Sequence, residues 1–537
     1  MPATWLRPKR LLTLGLLALA VAVAVWWVLY IPYDPLAIYR PIPASATVVG
    51  RHTRLPERWL DILGNPLSRA LMRTAGANPD DAGALVTDPE SRQWFEKLAG
   101  REGTLAYLPG QYGHAPAWMA VSQLGGESQK LRWQLMLFKV PGFVRMKEFP
   151  GRSVWLVTNQ EIDPTRRLVI AFGEGVLMAC LSEESLAIAD VLAAYDGRTT
   201  RLLDAEASFA RFAREDDRAQ ADRFWLRDES GWAAREEPGI TVDLPVLRAD
   251  AMQISASTTG GDVIPEDQES TADIQALAAR LGAGPCLMAT VRRDVLLEVW
   301  SQADLSRDVR HALRMALDVA TGDRLAVMAM DGELGGRLTF GIMRMLGAGV
   351  RVPTLMLATP VEDEAAAHAA IQRVLDASNA RYRAAFVLKP VSVSATTIYV
   401  LESAGRNEWV DELPQADRPA YAVLDGWLLA SSNFSALQKL ANGAASEGEG
   451  PTWQAALTTS AAVSAWLDLR RVSRAAKGAI ATWSMVQAAF GGDAASAAQL
   501  NEAKVWIEAF EPFGEARAGL GRRDGHTTFS LVLGLSE

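Results

Sequence analysis

The chain has 537 residues, of which 49% are hydrophobic and 22% charged. That is a folding composition and it excludes a mainly disordered chain. The net charge of −9, with no basic stripe carrying interleaved aromatics, excludes nucleic acid as a partner, because phosphate binding needs a Lys and Arg excess on some face. At about 150 residues per domain the length allows several domains.

The N-terminus opens with "MPATWLRPKR" and runs into "LLTLGLLALAVAVAVWWVLYI". Leu11 to Ile31 carries no charge, and at 1.5 Å per residue a helix of that length spans about 32 Å, enough for a bilayer core. Arg7, Lys9 and Arg10 flank its start, and Trp26, Trp27 and Tyr30 lie near its end, as the positive-inside rule and the aromatic belt require. A cleaved signal peptide competes with this reading. It would be expected to turn polar after the Ala-Val-Ala triplets near positions 20 to 24, whereas here the apolar run continues. The expectation is a cytoplasmic N-terminus (1–10) and an uncleaved transmembrane signal anchor (11–31). The body would then be periplasmic, on a single-pass protein of a bacterial inner membrane.

Next come short strand patterns at 103–108, 117–122, 133–139, 153–158 and 168–181, with helical patterns at 64–75 and 184–194. The stretch "LVIAFGEGVLMACLSEESLAIADVL" (168–192) is echoed by "PAYAVLDGWLLASSNFSALQKLANG" (419–443). Gly175 aligns with Gly426, Ala179 with Ala430 and Leu186 with Leu437. Each copy reads strand, acidic-Gly turn, strand, polar cap, helix. Gly takes the positive φ that a hairpin turn needs, and Ser182 and Asn433 stand at the cap positions. "PAWMAVSQ" (116–123) is likewise echoed by "PTLMLATP" (353–360), "GTLAYLPG" (103–110) by "DRLAVMAM" (323–330), and "RHTRLPERW" (51–59) by "RRDVLLEVW" (292–300). Echoes in the same order predict an internal duplication: a first α+β repeat over 40–257, a Gly, Pro and acid-rich linker over 258–274, and a second α+β repeat over 275–537. The second half adds helical patterns at 305–320, 363–378, 434–442, 466–490 and 496–510. The expected fold class is α+β: an N-terminal transmembrane helix, then two duplicated domains, each a curved, mostly antiparallel sheet with helices packed on one face.

Signatures of catalysis are missing. No GxSxG, HExxH, GxxxxGK[ST] or GxGxxG after a strand occurs. "DGELGGRLTFG" (331–341) reads as a turn between strands. The five histidines are scattered. Glu364 and His368 share a helix face at i, i+4, but a metal needs more ligands. Acids in a first helical turn beside a surface histidine explain the pair. "REDDRAQADRFWLRDES" (214–230) reads as a solvated charge run. Cys180 and Cys286 lie in apolar strand-like runs and read as buried small hydrophobes, with a disulfide left open. Trp118, Trp133, Trp155, Trp225, Trp232, Trp427, Trp466 and Trp483 read as core, or in part as the lining of an apolar groove. No catalytic, cofactor-binding or metal residue is assigned, and no cofactor is implied.

The anchor, the opening "YRPIPASATVVG" (39–50), the module "YAVLDGWLLASSNFSALQKL" (421–440) and the closing "RRDGHTTFSLVLGL" (522–535) together resemble a group of uncharacterised bacterial membrane-anchored envelope proteins with repeated strand–Asp-Gly–strand–Ser–helix modules. The resemblance implies a layout and carries over no functional residue. The functional expectation is a non-catalytic, membrane-anchored periplasmic protein that binds a protein, peptide or lipid of the cell envelope and attaches to the membrane through Leu11–Ile31. The alternatives are an envelope hydrolase with a site built from distant residues and an accessory subunit of a membrane complex.

Overall fold

The computed structural model describes residues 16–19, 30–74, 78–110, 115–158, 165–215, 222–228, 239–248, 250–259, 264, 277, 281, 284–302, 307–331, 336–338, 350–404, 413–443, 453, 461–490, 494–523 and 525–534. The chain forms two compact units. Met1–Asp61 with Asn78–Pro245 make the first, and Ile62–Ala77 with Val246–Glu537 the second.

The first unit is built on β1 (Val48–Thr53), β2 (Glu102–Leu108), β3 (Ala117–Gln123), β4 (Phe143–Arg145), β5 (Val154–Val157), β6 (Arg167–Phe172), β7 (Val176–Ser182), β8 (Asp222–Arg227) and β9 (Gly239–Leu247). They pair antiparallel in the order β4-β5-β6-β7-β3-β2-β1-β8-β9. Side chains alternate across the sheet. On β3, Ala117, Met119 and Val121 are buried, while Trp118 and Ala120 are exposed. The buried set joins Val49, Ala106 and Met178 in a core with Ile188, Val191, Phe209 and Phe212 from the helices Ile188–Tyr195 and Ala207–Arg214. A second cluster packs Leu131 against Trp155, Phe172 and Leu177. Leu177 and Met178 are neighbours on β7, so these two clusters lie on opposite faces of the sheet.

The second unit contains β10 (Met252–Thr259), β11 (Pro285–Arg292), β12 (Arg324–Met330), β13 (Gly336–Leu338), β14 (Val350–Val352), β15 (Thr354–Pro360), β16 (Phe386–Val393), β17 (Thr396–Ser403), β18 (Ala420–Leu424), β19 (Trp427–Ser431), β20 (Val463–Asp468), β21 (Glu515–Arg523) and β22 (His526–Gly534). β13 and β14 pair apart from the rest. The others run β16-β17-β18-β19-β15-β12-β11-β20-β21-β22-β10.

The expected fold class is corrected on three points. First, twenty strands count as one antiparallel sheet, not as a separate sheet in each of two duplicated domains. The echoed segments record a like order of local strand pairings. A strand–turn–strand pattern fixes which neighbours pair but not where a sheet ends. Second, helices cover both faces of the sheet in the first unit, not one. The predicted strand at 133–139 falls largely within the helix Gly126–Leu137, whose Leu131 and Leu135 meet the second cluster one turn apart.

Third, among the described residues no helix is long and apolar enough to cross a membrane. A crossing takes about 20 consecutive apolar residues. The longest described helix, Leu469–Phe490, is interrupted by Arg470, Arg471, Arg474 and Lys477. The expected transmembrane helix and signal anchor, attachment to the membrane through Leu11–Ile31, and single-pass inner-membrane placement with a periplasmic body are corrected accordingly: no described helix supports them. Of that span, residues 16–19, which are helical, and 30–31 are described. The remainder, residues 1–10 and most of 258–274 lie outside the described residues.

Local turn chemistry behaves as the residues dictate. Asp425 and Gly426 both take positive φ, 49° and 78°, between the paired Leu424 and Trp427. Asn433 caps the helix Phe434–Ala441 by accepting from Ala436 N–H. Ser182 is not a helix cap: it donates to Pro116 O and accepts from Glu184 N–H.

Candidate functional site

Arg51 on β1 stands in register with Thr104 on β2 and Arg223 on β8, so the three share one sheet face. Burying two arginines side by side demands compensation. Arg51 Nε donates to Glu102 Oε1 at 2.7 Å. Arg223 Nε donates to Asp243 at 2.7 Å and its Nη2 to Glu215 at 2.8 Å. Tyr33 Oη adds a 2.8 Å bond to the other oxygen of Glu102.

The segment from Ile31 to Arg40 lies beside these ions. Thr104 Oγ1 donates to Ile38 O at 3.1 Å, and Tyr39 sets its ring edge-on to Phe209 and Phe212, with centroids 5.7 and 6.2 Å away. The ring is thereby in the core. Its hydroxyl feels Arg51, Glu102, Arg223 and Tyr33, and burial pushes the phenol pKa well above its ordinary value. The Tyr39 hydroxyl is buried and has no hydrogen-bond partner.

Two clefts open on either side of Tyr33, both within the first unit. One, of about 300 Å³, is lined by Tyr33, Leu36, Tyr39 and the charged Arg51, Glu102, Arg214 and Glu215. The other, of about 230 Å³, is lined by Tyr33, Gln123, Gly175 and the charged Asp34, Arg40, Arg101 and Glu174. Gly175, at φ 77°, is in close approach to Ile31, whose Cγ2 would stand 3.0 Å from an added Cβ. Gln123 is buried. Its Nε2 donates to Asp34 O at 3.0 Å, and its Oε1 has no partner.

Chemically the clefts are balanced rather than reactive. Each is lined by two cationic and two carboxylate side chains, and by no His, Cys, Ser, Thr or Lys. Glu102 is held by both Arg51 and Tyr33. Among the described residues no cluster of three or more His, Cys, Asp or Glu is placed to hold a metal ion. A cavity in the second unit, of about 400 Å³, is lined by Arg292, Arg293 and Asp294. Its arginines are already engaged by Asp294 and Asp318.

Elsewhere the structure relocates residues singled out in the sequence. Within "REDDRAQADRFWLRDES" Arg214 and Glu215 are exposed, but Asp222 and Arg223 are not solvated: they are 3% and 4% exposed. His52 Nδ1 is 2.7 Å from Asp222 Oδ1, and Arg58 holds both Asp222 oxygens. Burial raises the Asp222 pKa, but the bonds to His52 and Arg58 outweigh it and hold the carboxyl below its ordinary value. His368 is not a free surface residue. Its ring stacks on Tyr399 at 4.3 Å, and Nδ1 meets the Tyr421 hydroxyl.

Cys180 and Cys286 are buried free thiols. Trp155, Trp225, Trp427 and Trp466 are core residues, while Trp118 and Trp133 are exposed. Trp232 and the side chain of Trp483 lie outside the described residues. The sequence carried no local signal for the Tyr33–Tyr39–Arg51–Gln123 grouping, because its members come from three separate stretches of chain. No family model matches the chain, and neither a curated protein nor a solved structure does.

Proposed function

We propose that this chain is a binding protein without catalytic chemistry of its own, and that its ligand, a protein or peptide, is taken at the two clefts beside Tyr33. One observation carries the reading. Each cleft carries one internal ion pair, Arg51–Glu102 or Arg40–Asp34, and apolar walls, and neither lining holds a His, Cys, Ser, Thr or Lys. Such a lining orients polar groups of a ligand but has nothing to transfer to it. A lipid chain is less suited, since each cleft would bury its four charged side chains against hydrocarbon.

The test is native mass spectrometry of the purified full chain, compared with its denatured mass, alongside a fluorophosphonate and ester-substrate screen. The expected result is a non-covalent extra mass that is lost on denaturation, with a blank screen. Covalent labelling or ester turnover would overturn the proposal in favour of a hydrolase.

A further inference from the structure

Buried polar atoms are almost always hydrogen-bonded, and each exception needs an explanation. Two exceptions belong to side chains that line these adjacent clefts. Tyr39 is 1% exposed and Gln123 is 6% exposed, and Tyr39 Oη and Gln123 Oε1 both lack partners. The orientation of the Gln123 amide is set by its neighbour: Asp34 O is an acceptor and must face the NH₂ group. The free atom is therefore the carbonyl oxygen, an acceptor. The Tyr39 hydroxyl is free to donate.

We propose, resting on the binding reading above, that the ligand of the two clefts is an uncharged amide backbone: a short extended peptide segment. One of its carbonyl oxygens accepts from Tyr39 Oη–H, and one of its N–H groups donates to Gln123 Oε1. A peptide supplies both complements, whereas a carboxylate or phosphate supplies acceptors only and leaves Gln123 unsatisfied. The ionic lining agrees. Each cleft holds two cationic and two anionic side chains, so there is no surplus cation to offset the desolvation of an anionic ligand. The apolar wall of Tyr33, Pro35 and Leu36 provides a surface for small side chains.

The experiment is titration calorimetry of the full chain with two probes, acetyl-alanyl-alanine methylamide and acetyl-alanyl-alanine with a free carboxylate. Tyr39→Phe is tested in parallel. This variant keeps the ring packing and removes an atom that no protein group uses, so it is expected to fold; its circular dichroism and unfolding midpoint check this. The expected result is binding of the neutral probe, with affinity lowered about tenfold by Tyr39→Phe and by Gln123→Leu. Tighter binding of the carboxylate probe overturns the proposal in favour of an anion site. Unchanged affinity in Tyr39→Phe also overturns it. If neither probe binds while native mass spectrometry still shows a retained mass, the amide assignment falls and the binding reading stands. If ordered water alone occupies both atoms in a crystal soaked with the neutral probe, the assignment falls as well.

Discussion

His52 and Asp222 face each other across β1 and β8, with Nδ1 2.7 Å from Oδ1, on the opposite sheet face from the Arg51 and Arg223 pair one position away. Arg58 completes the arrangement around the same carboxylate. Asp222 holds its charge because these partners outweigh the cost of burial. Asp222→Asn is expected to destabilise the first unit by about 3 kcal/mol at neutral pH, as removing one member of a buried pair does. A carboxyl whose folded value is depressed contributes stability that is fully present above its unfolded value. That stability is lost as pH falls through the folded one. The gap between wild type and variant is therefore expected to narrow as pH drops below the ordinary value of 3.8. Unfolding midpoints across that range check this; a constant gap would mean that the carboxylate charge contributes nothing.

Tyr39→Phe removes a buried hydroxyl that has no partner. An unmade buried hydrogen bond costs about 1–3 kcal/mol, so the variant is expected to be more stable than the parent by about 1 kcal/mol in the absence of ligand. Chemical denaturation of the two proteins settles the sign. A loss of stability would show that the hydroxyl is satisfied by a bound water.

Cys180 and Cys286 are both buried and free, and burial pushes the Cys180 thiol pKa up to about 12. Thiolate is the reactive form. The native protein is expected to react slowly with a disulfide reagent such as dithionitrobenzoate. Unfolding in guanidinium without reductant should release both thiols at once. No thiol signal on unfolding would reveal a disulfide and contradict the structure.

His368 joins an aromatic set in the second unit, stacked on Tyr399, which in turn stacks on Tyr421 at 5.0 Å. Tyr421 also meets His368 Nδ1 through its hydroxyl, and its pKa is raised by burial, then by Tyr399 and Glu364. Tyr421→Phe and His368→Phe each keep a ring and lose the hydrogen bond. A double-mutant cycle is expected to give a coupling of about 1 kcal/mol. Additive effects would mean that the two residues pack without bonding.

The likeness between 168–192 and 419–443 identified two hairpins correctly, yet it did not show how the strands assemble. Asp425-Gly426 makes its turn wherever the flanking strands go, because a positive φ is a property of those two residues. Asn433 caps its helix for an equally local reason. On β3 the apolar run Ala117–Val121 gave no sign of which face is buried: Trp118, read as core or groove lining, is exposed, and Gln123 is buried. The segment 133–139 was misread because its apolar residues fit a short strand as well as a helix. Only the position of Leu131 and Leu135 under the second cluster decides between them.

By itself, then, the sequence determined the hairpin turns, the Asn433 cap and a composition able to fill large cores. All of these depend on residues within a few positions of one another. The tertiary structure alone decided that twenty strands share one sheet, that Asp222 and Arg223 are buried instead of solvated, and that Tyr39, Arg51, Glu102 and Gln123 meet around Tyr33. His52 and Asp222 are 170 positions apart. Pairing of that kind is set by which strand edges meet and by what must be neutralised once they are buried. No local pattern in the chain encodes either.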